Sequence, residues 1–313
     1  MNTHPLVVIF GGSGFLGRYI AQRMAHQGWR VRVAVRHPNE AMFVQTYGQV
    51  EQIVPVQANI RDDVSTRAAI VGADAVINCV GILSEDSRQQ FDAVQADGAA
   101  RIALMAADAG ITKFVHVSSI GADADSDSKY LRSKAEGEAA VLAAMPDAVI
   151  LRPSIIFGAE DKFFNKFGTM ARYSPVLPLV GANSKFQPVY VDDVAAAAQA
   201  AINGNASGIF ELGGPDIETF RGLMQRMLSV VRRKRILFNI PFGIANISAL
   251  FIELAHKASL GIMPLMLTRD QVKSLRLDNV VSPGAKTLAD LGVDATAMEA
   301  VLDTYLYRFR PQK

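Results

Sequence analysis

The chain has 313 residues, half of them hydrophobic, and 32 Lys and Arg against 30 Asp and Glu give a formal net charge of +2. That length allows one large or two ordinary domains with a full-sized core, and the near-neutral balance gives no general case for a nucleic-acid partner. A single cysteine, Cys79, excludes a disulfide framework and a thiolate metal site, so no metal is expected.

The apolar run 6–10 predicts a buried first strand, starting so near Met1 that no secretory or transit peptide is expected ahead of it. It leads directly into Gly11-Gly12-Ser13-Gly14-Phe15-Leu16-Gly17. Leu16, Ile20 and Met24 then recur at helical spacing, and Gly28 closes the helix. A buried strand that ends in glycines and enters a helix lets the backbone approach a pyrophosphate, with unpaired helix N–H groups and the helix dipole facing the negative charge. The predicted ligand is a dinucleotide.

Residues 30–35 alternate as a second strand. A carboxylate at the end of such a strand pairs with a ribose 2′-hydroxyl, whereas a cation accommodates a 2′-phosphate. This chain has Arg36, then His37, and no acid before Glu40, which favours NADP(H). The plainer alternative is a solvated strand-end charge. Arg18, just inside the first helix, either assists or faces water.

Residues 53–58, 75–80, 114–118 and 149–151 read as strands three to six, separated by helices of which 91–109, ended by Gly110, is the clearest. The alternation predicts an α/β fold, a Rossmann-type doubly wound parallel sheet. Ligands of such sheets sit beyond the carboxyl ends of the strands where the strand order reverses. Asn59 and Ile60 after strand three, and Val80 and Gly81 after strand four, are therefore expected to flank the adenine and the ribose-pyrophosphate. Cys79 is expected to be a small buried apolar residue.

Tyr130 and Lys134 stand four apart, on one face of the helix that follows strand five. A nearby cation stabilises phenolate, the adjustment a proton donor in carbonyl reduction needs, and the lysine can also hydrogen-bond a nicotinamide ribose. Ser118 or Ser119 could orient a substrate carbonyl, completing a Ser-Tyr-Lys set. Tyr and Lys at this spacing also arise by accident on many helices; the preceding Ser-Ser strand end and the upstream glycine loop single this pair out.

From 158 to 188 the alternation lapses into a loop-rich stretch with Pro175 and Pro178. Short elements return as a helix over 192–202, a strand over 209–212 and a helix over 220–231. Residues 1–157 are read as a dinucleotide-binding domain and 158–313 as a smaller carboxyl-terminal lobe that is not independent of it. Within that lobe the basic run 232–235 enters an uncharged segment, 236–252, close to the lower limit of about 17 residues for crossing a bilayer. Pro241, Gly243, Asn239 and Asn246 argue against a spanning helix. Contact of 232–268 along a membrane surface, docking on a partner, and the lobe's own core are the three uses such a segment can have. Residues 262–267 add another apolar stretch.

The three-and-three spacing of Gly11, Gly14 and Gly17 resembles the extended and atypical short-chain dehydrogenase/reductase group. Longer stretches, 129–138, 152–165, 187–194 and 267–272, resemble the nucleotide-binding accessory subunit of respiratory complex I, alpha-subcomplex subunit nine, with its bacterial relatives; the likeness covers almost the whole chain. It implies Gly11, Gly14, Phe15, Leu16 and Gly17 around the pyrophosphate, Arg36 on the 2′-phosphate, Lys134 on the nicotinamide ribose, and Pro153 and Ile156 at the nicotinamide end. It also implies a structural or sensory NADP(H) that is not turned over, other complex I (NADH:ubiquinone oxidoreductase) subunits as partners, and a place at the cytoplasmic face of a bacterial inner membrane, or the matrix side in a mitochondrion. A second reading is an active NADP-dependent oxidoreductase or sugar-nucleotide epimerase/dehydratase, with Tyr130, Lys134 and Ser119 catalytic. A third is a redox-sensing or assembly factor whose stability follows nucleotide occupancy.

Overall fold

The computed structural model describes residues 4–86, 89–259 and 267–311. Strand and helix alternate through β1 (Leu6–Phe10), α1 (Phe15–His26), β2 (Arg30–Val35), β3 (Ile53–Gln57), α2 (Asp63–Ile70), β4 (Ala75–Asn78), α3 (Asp97–Asp108), β5 (Lys113–Val117), α4 (Lys129–Ala144) and β6 (Val149–Pro153). The chain continues through β7 (Ile156–Phe157), α5 (Phe164–Tyr173), β8 (Val176–Val180), β9 (Lys185–Phe186), β10 (Val189–Tyr190), α6 (Val191–Asn203) and β11 (Gly208–Leu212). It closes with β12 (Glu218–Thr219), α7 (Phe220–Val230), β13 (Ile236–Ile240), α8 (Phe242–Ala258), α9 (Arg269–Ser274) and α10 (Met298–Leu306).

Seven strands form one parallel sheet in the order β11-β6-β5-β4-β1-β2-β3. The order reverses between β1 and β4, which opens a crevice at their carboxyl ends. Every residue of β1 is buried because both faces of the sheet are covered, and this is why it reads as an unbroken apolar run. On one face Val7 and Ile9 pack with Ile20 and Met24 of α1 and Val194 and Ala198 of α6. On the other, Val8 and Phe10 pack with Ile102 and Ala106 of α3 and Ile150. β11, although late in the chain, thus belongs to the large sheet and α6 packs on its face; Arg23 of α1 holds Asp192 of α6 through two 2.7 Å bonds.

A second core gathers Phe157, Phe164, Phe186, Phe220, Met224 and Leu302. The stretch read as loop between 158 and 188 contains α5 and β8. Pro178 is tolerated because, among the described residues, β8 pairs only with β13, in parallel, and Pro178 is exposed. The uncharged run 236–252 is divided at Pro241 into β13 and the start of α8. Among the described residues no helix is long and apolar enough to cross a membrane. Most of the apolar stretch 262–267 lies outside the described residues.

Two further readings need correction. The helix expected over 91–109 opens with a π turn over Asp92–Ala96 before α3 begins. Cys79 lies past the end of β4 and is half-buried, packed against the first core on one side and lining the wall of a cleft on the other, so it is less enclosed than expected.

Candidate dinucleotide site

The crevice at the reversal point is a cleft of about 510 Å³. Gly11, Ser13 and Gly14 form its floor, Arg36, His37, Glu40 and Phe43 its outer end, Asn59, Ile60 and Arg61 one wall, and Cys79, Val80 and Gly81 the other.

The floor is built by backbone. Gly11 has φ +75°, a left-handed conformation that favours glycine, and its carbonyl accepts from Gly14 N at 2.9 Å. A Cβ on Gly17 would stand 2.3 Å from Gly11 O and 2.7 Å from Gly12 Cα, so α1 can approach the loop this closely only with glycine there. Gly14 is the N-cap of α1, no side chain caps that end, and the first turn carries no acid. Its N–H groups and the helix dipole are left for an anion. The Phe15 and Leu16 side chains point away into the first core, which leaves their backbone for a pyrophosphate.

At the outer end Arg36 is exposed and, among the described residues, forms no ion pair, although Glu40 lines the same end. Arg18 does not simply face water. Its guanidinium bonds Ser13 O at 3.2 Å and Gly14 O at 3.3 Å and lies 4.8 Å over the Phe43 ring, bracing the loop and one wall.

At the inner end Lys134 is 5% exposed, and its Nζ donates to Val117 O at 3.2 Å. Burial lowers its pKa to about 8, with the Glu138 carboxylate acting against the shift. Glu138 is itself held by Arg152 through bonds of 2.9 and 2.6 Å. A methyl on Gly81 would lie 3.4 Å from Lys134 Nζ and 3.5 Å from Gln95 Oε1, so these two groups converge on the cleft wall at Gly81. Gln95 sits in the π turn, 1% exposed; its Nε2 bonds Ser133 Oγ at 3.0 Å while its Oε1 has no partner among the described residues. An unpaired buried acceptor is costly, and π turns recur at functional sites. Sequence reasoning missed Gln95; the available signal was a polar residue on the otherwise apolar stripe of Ala99, Ile102 and Ala106.

Tyr130 packs edge-on against Phe91, with ring centroids 5.6 Å apart. Burial raises its pKa, and the Ser119 hydroxyl favours the ionised form without reaching ordinary hydrogen-bond geometry. Ser118 Oγ and Ser119 Oγ are buried and have no partner among the described residues. Beneath them His116, bonded to Asn78 at 3.1 Å, is kept neutral by burial, its pKa lowered to about 3. Pro153 ends β6 and is buried, and Ile156 lies in β7, three residues on; neither lines the cleft.

An uncapped helix N-terminus behind a glycine cradle, a free guanidinium at one end and an ammonium with an unpaired amide oxygen at the other fit a nicotinamide dinucleotide lying across the sheet edge. The sequence profile of the NAD dependent epimerase/dehydratase family matches residues 7–213. NADH dehydrogenase (ubiquinone) 1 alpha subcomplex subunit 9, mitochondrial, of Arabidopsis thaliana is 34% identical over 313 residues, 97% of this chain and 78% of that protein. A ceramide reductase of Caulobacter vibrioides is 33% identical over 242 residues, 77% of this chain and 75% of that protein. Among solved structures, the NADPH-dependent quinone oxidoreductase of Escherichia coli, complexed with NADPH, shares the fold with a TM-score of 0.72 at 16% identity, covering 96% of this chain and 99% of that one. This chain belongs to the NAD dependent epimerase/dehydratase family and, within it, to the group of the alpha subcomplex subunit 9 of NADH dehydrogenase.

Proposed function

We propose that this chain is an NADP(H)-binding accessory subunit of NADH:ubiquinone oxidoreductase, in which the dinucleotide is held and not consumed. The observation that carries NADP(H) over NAD(H) is Arg36, a guanidinium without an ion-pair partner at the end of β2, where a 2′-phosphate rests in this fold. The Gly11, Gly14 and Gly17 backbone holds the pyrophosphate, Asn59, Ile60 and Val80 flank the adenine and its ribose, and Lys134 bonds the nicotinamide ribose beside Gly81. The assembly role rests on likeness to the alpha subcomplex subunit 9 proteins.

The docking surface of this reading is α8. Ala245 and Ala249 face inward on Val180 and Val272, while Ile244, Ile247, Phe251 and Leu254 form an outward stripe, each more than half exposed. Arg232 and Lys234 are exposed just before β13. An apolar stripe beside cations suits the anionic cytoplasmic face of a bacterial inner membrane. Affinity purification of the tagged native chain from solubilised membranes tests the assembly role: recovery with other subunits of the oxidoreductase supports it, and recovery only as a free monomer contradicts it.

A second reading is favoured by one observation, the gathering of Ser119, Tyr130 and buried Lys134 at the inner end. In an active reductase Tyr130 would give its hydroxyl proton to a carbonyl oxygen oriented by Ser119, with Lys134 favouring the phenolate left behind; NADPH would supply the hydride. The Caulobacter relative makes a lipid carbonyl compound a reasonable first substrate to test. Substrate-dependent NADPH oxidation lost in Tyr130→Phe establishes this reading, and none in the unaltered chain removes it.

A further inference from the structure

The segment 267–272 stands far from the glycine loop in sequence, yet it meets the helix that carries Lys134. Thr268 caps α9 in a reciprocal box with Gln271, which fixes the orientation of the short helix. From it the Asp270 carboxylate accepts from Lys129 N at 2.7 Å, Tyr130 N at 3.2 Å and Ser128 Oγ at 2.8 Å. Ser128 Oγ in turn accepts from Leu131 N, so the first-turn N–H groups of α4 are met largely by a carboxylate 140 residues away. Ser274 Oγ reaches Ser128 Oγ at 3.0 Å, and Lys273 Nζ reaches Asp127 O at 3.1 Å. α9 is also tied to the segment after β4 and to the docking helix: Gln271 Nε2 donates to Leu83 O, next in sequence to the cleft residue Ile82, and Arg269 N donates to Glu253 of α8 at 2.8 Å.

We infer that Asp270 is a positioning residue for the dinucleotide: by closing the N-terminus of α4 it sets Lys134, one turn further on, against the nicotinamide ribose. This rests on the NADP(H) reading above. Lys134 is buried, and among the described residues the hydrogen bond of its ammonium goes to a backbone acceptor, Val117 O, so the path of α4 sets where it points. A carboxylate at a helix N-terminus is favourable in charge as well as in hydrogen bonding, so Asp270→Asn keeps the size and loses the stronger part of the contact. The carboxyl-terminal lobe therefore takes part in binding although it contributes no lining residue to the cleft.

The test separates the two halves of the ligand. NADPH reaches both Arg36 and Lys134, whereas 2′,5′-ADP reaches only the outer end and the floor. Calorimetric titration of the full chain is expected to show Asp270→Asn weakening NADPH about tenfold, a charge-assisted contact's worth, while leaving 2′,5′-ADP within about twofold. Asp270→Glu is expected to restore part of the NADPH affinity. Thr219→Ala, which removes the cap of α7 from Gly222 N, serves as the control for general loss of stability and leaves both ligands unchanged. Equal weakening of both ligands by Asp270→Asn, or unchanged NADPH binding, overturns the inference. Failure of the unaltered chain to bind either ligand overturns the NADP(H) reading itself, and the inference with it.

Discussion

Lys134 should destabilise the empty protein that it equips to bind. Its pKa falls from the ordinary 10.5 to about 8 because burial disfavours the ammonium. Between these values the unfolded chain holds a proton that the folded chain has released, so stability rises with pH across that window, and the full penalty is present below pH 8. The difference of two to three pKa units corresponds to about 3 kcal/mol. Lys134→Met keeps the length and the apolar stem, removes the charge, and forfeits the bond to Val117 O, which is worth about 1 kcal/mol. The net gain of about 2 kcal/mol should raise the Tm of the ligand-free protein by roughly 3 °C at pH 7. That advantage should fade as the pH approaches 10.5, while NADPH affinity is lost at every pH. Differential scanning calorimetry across pH 7 to 10.5 reads this directly. A variant that melts below the unaltered chain at pH 7, or a difference that does not change with pH, would refute the reasoning.

Other outcomes follow from the same geometry. Gly17→Ala places a Cβ 2.3 Å from Gly11 O, so it should cost about 1–3 kcal/mol of stability and abolish dinucleotide binding even in the fraction that stays folded, checked by denaturant titration and calorimetry. Ile247→Glu on the outward stripe of α8 should lower partitioning onto phosphatidylglycerol vesicles at least about tenfold with no loss of Tm, because the side chain is 59% exposed. Tyr305→Phe removes the 2.6 Å bond to buried Asp161, and should cost about 1–3 kcal/mol in urea unfolding. Asp161 already has a raised pKa, chiefly from burial, and Tyr305 acts against that shift; the variant should therefore protonate Asp161 at higher pH than the unaltered chain does.

The large sheet was legible because its central strands are buried on both faces, its second strand alternates and its helices carry apolar stripes, patterns set locally by period. Gly11, Gly14, Arg36, Asn59, Ile60, Val80 and Gly81 could be placed together for the same reason: each follows a strand end, and the carboxyl ends of parallel strands share one edge. β8 was not legible, since Pro178 breaks a strand pattern unless the strand has a free edge, and that freedom depends on β13 about 60 residues away. The π turn leaves no local mark, so Gln95 reads as an ordinary helical residue until burial is known. Cys79 is less enclosed than expected because the strand ends at Asn78, one residue before it, and strand ends are the least certain feature of a sequence reading. Asp270 has a recognisable capping neighbourhood in Thr268 and Gln271, but its bonds to 128–130 are tertiary and invisible in sequence.

Selectivity for NADP(H) depends most on the guanidinium of Arg36 receiving a 2′-phosphate. Parallel calorimetric titrations of NADPH and NADH into the purified chain and its Arg36→Ala variant test that contact alone. A charge-assisted bond predicts at least about tenfold preference for NADPH in the unaltered chain, reduced to near parity in the variant by weaker NADPH binding and not by tighter NADH binding. Equal affinities for the two dinucleotides in the unaltered chain, or a preference that survives Arg36→Ala, would contradict it.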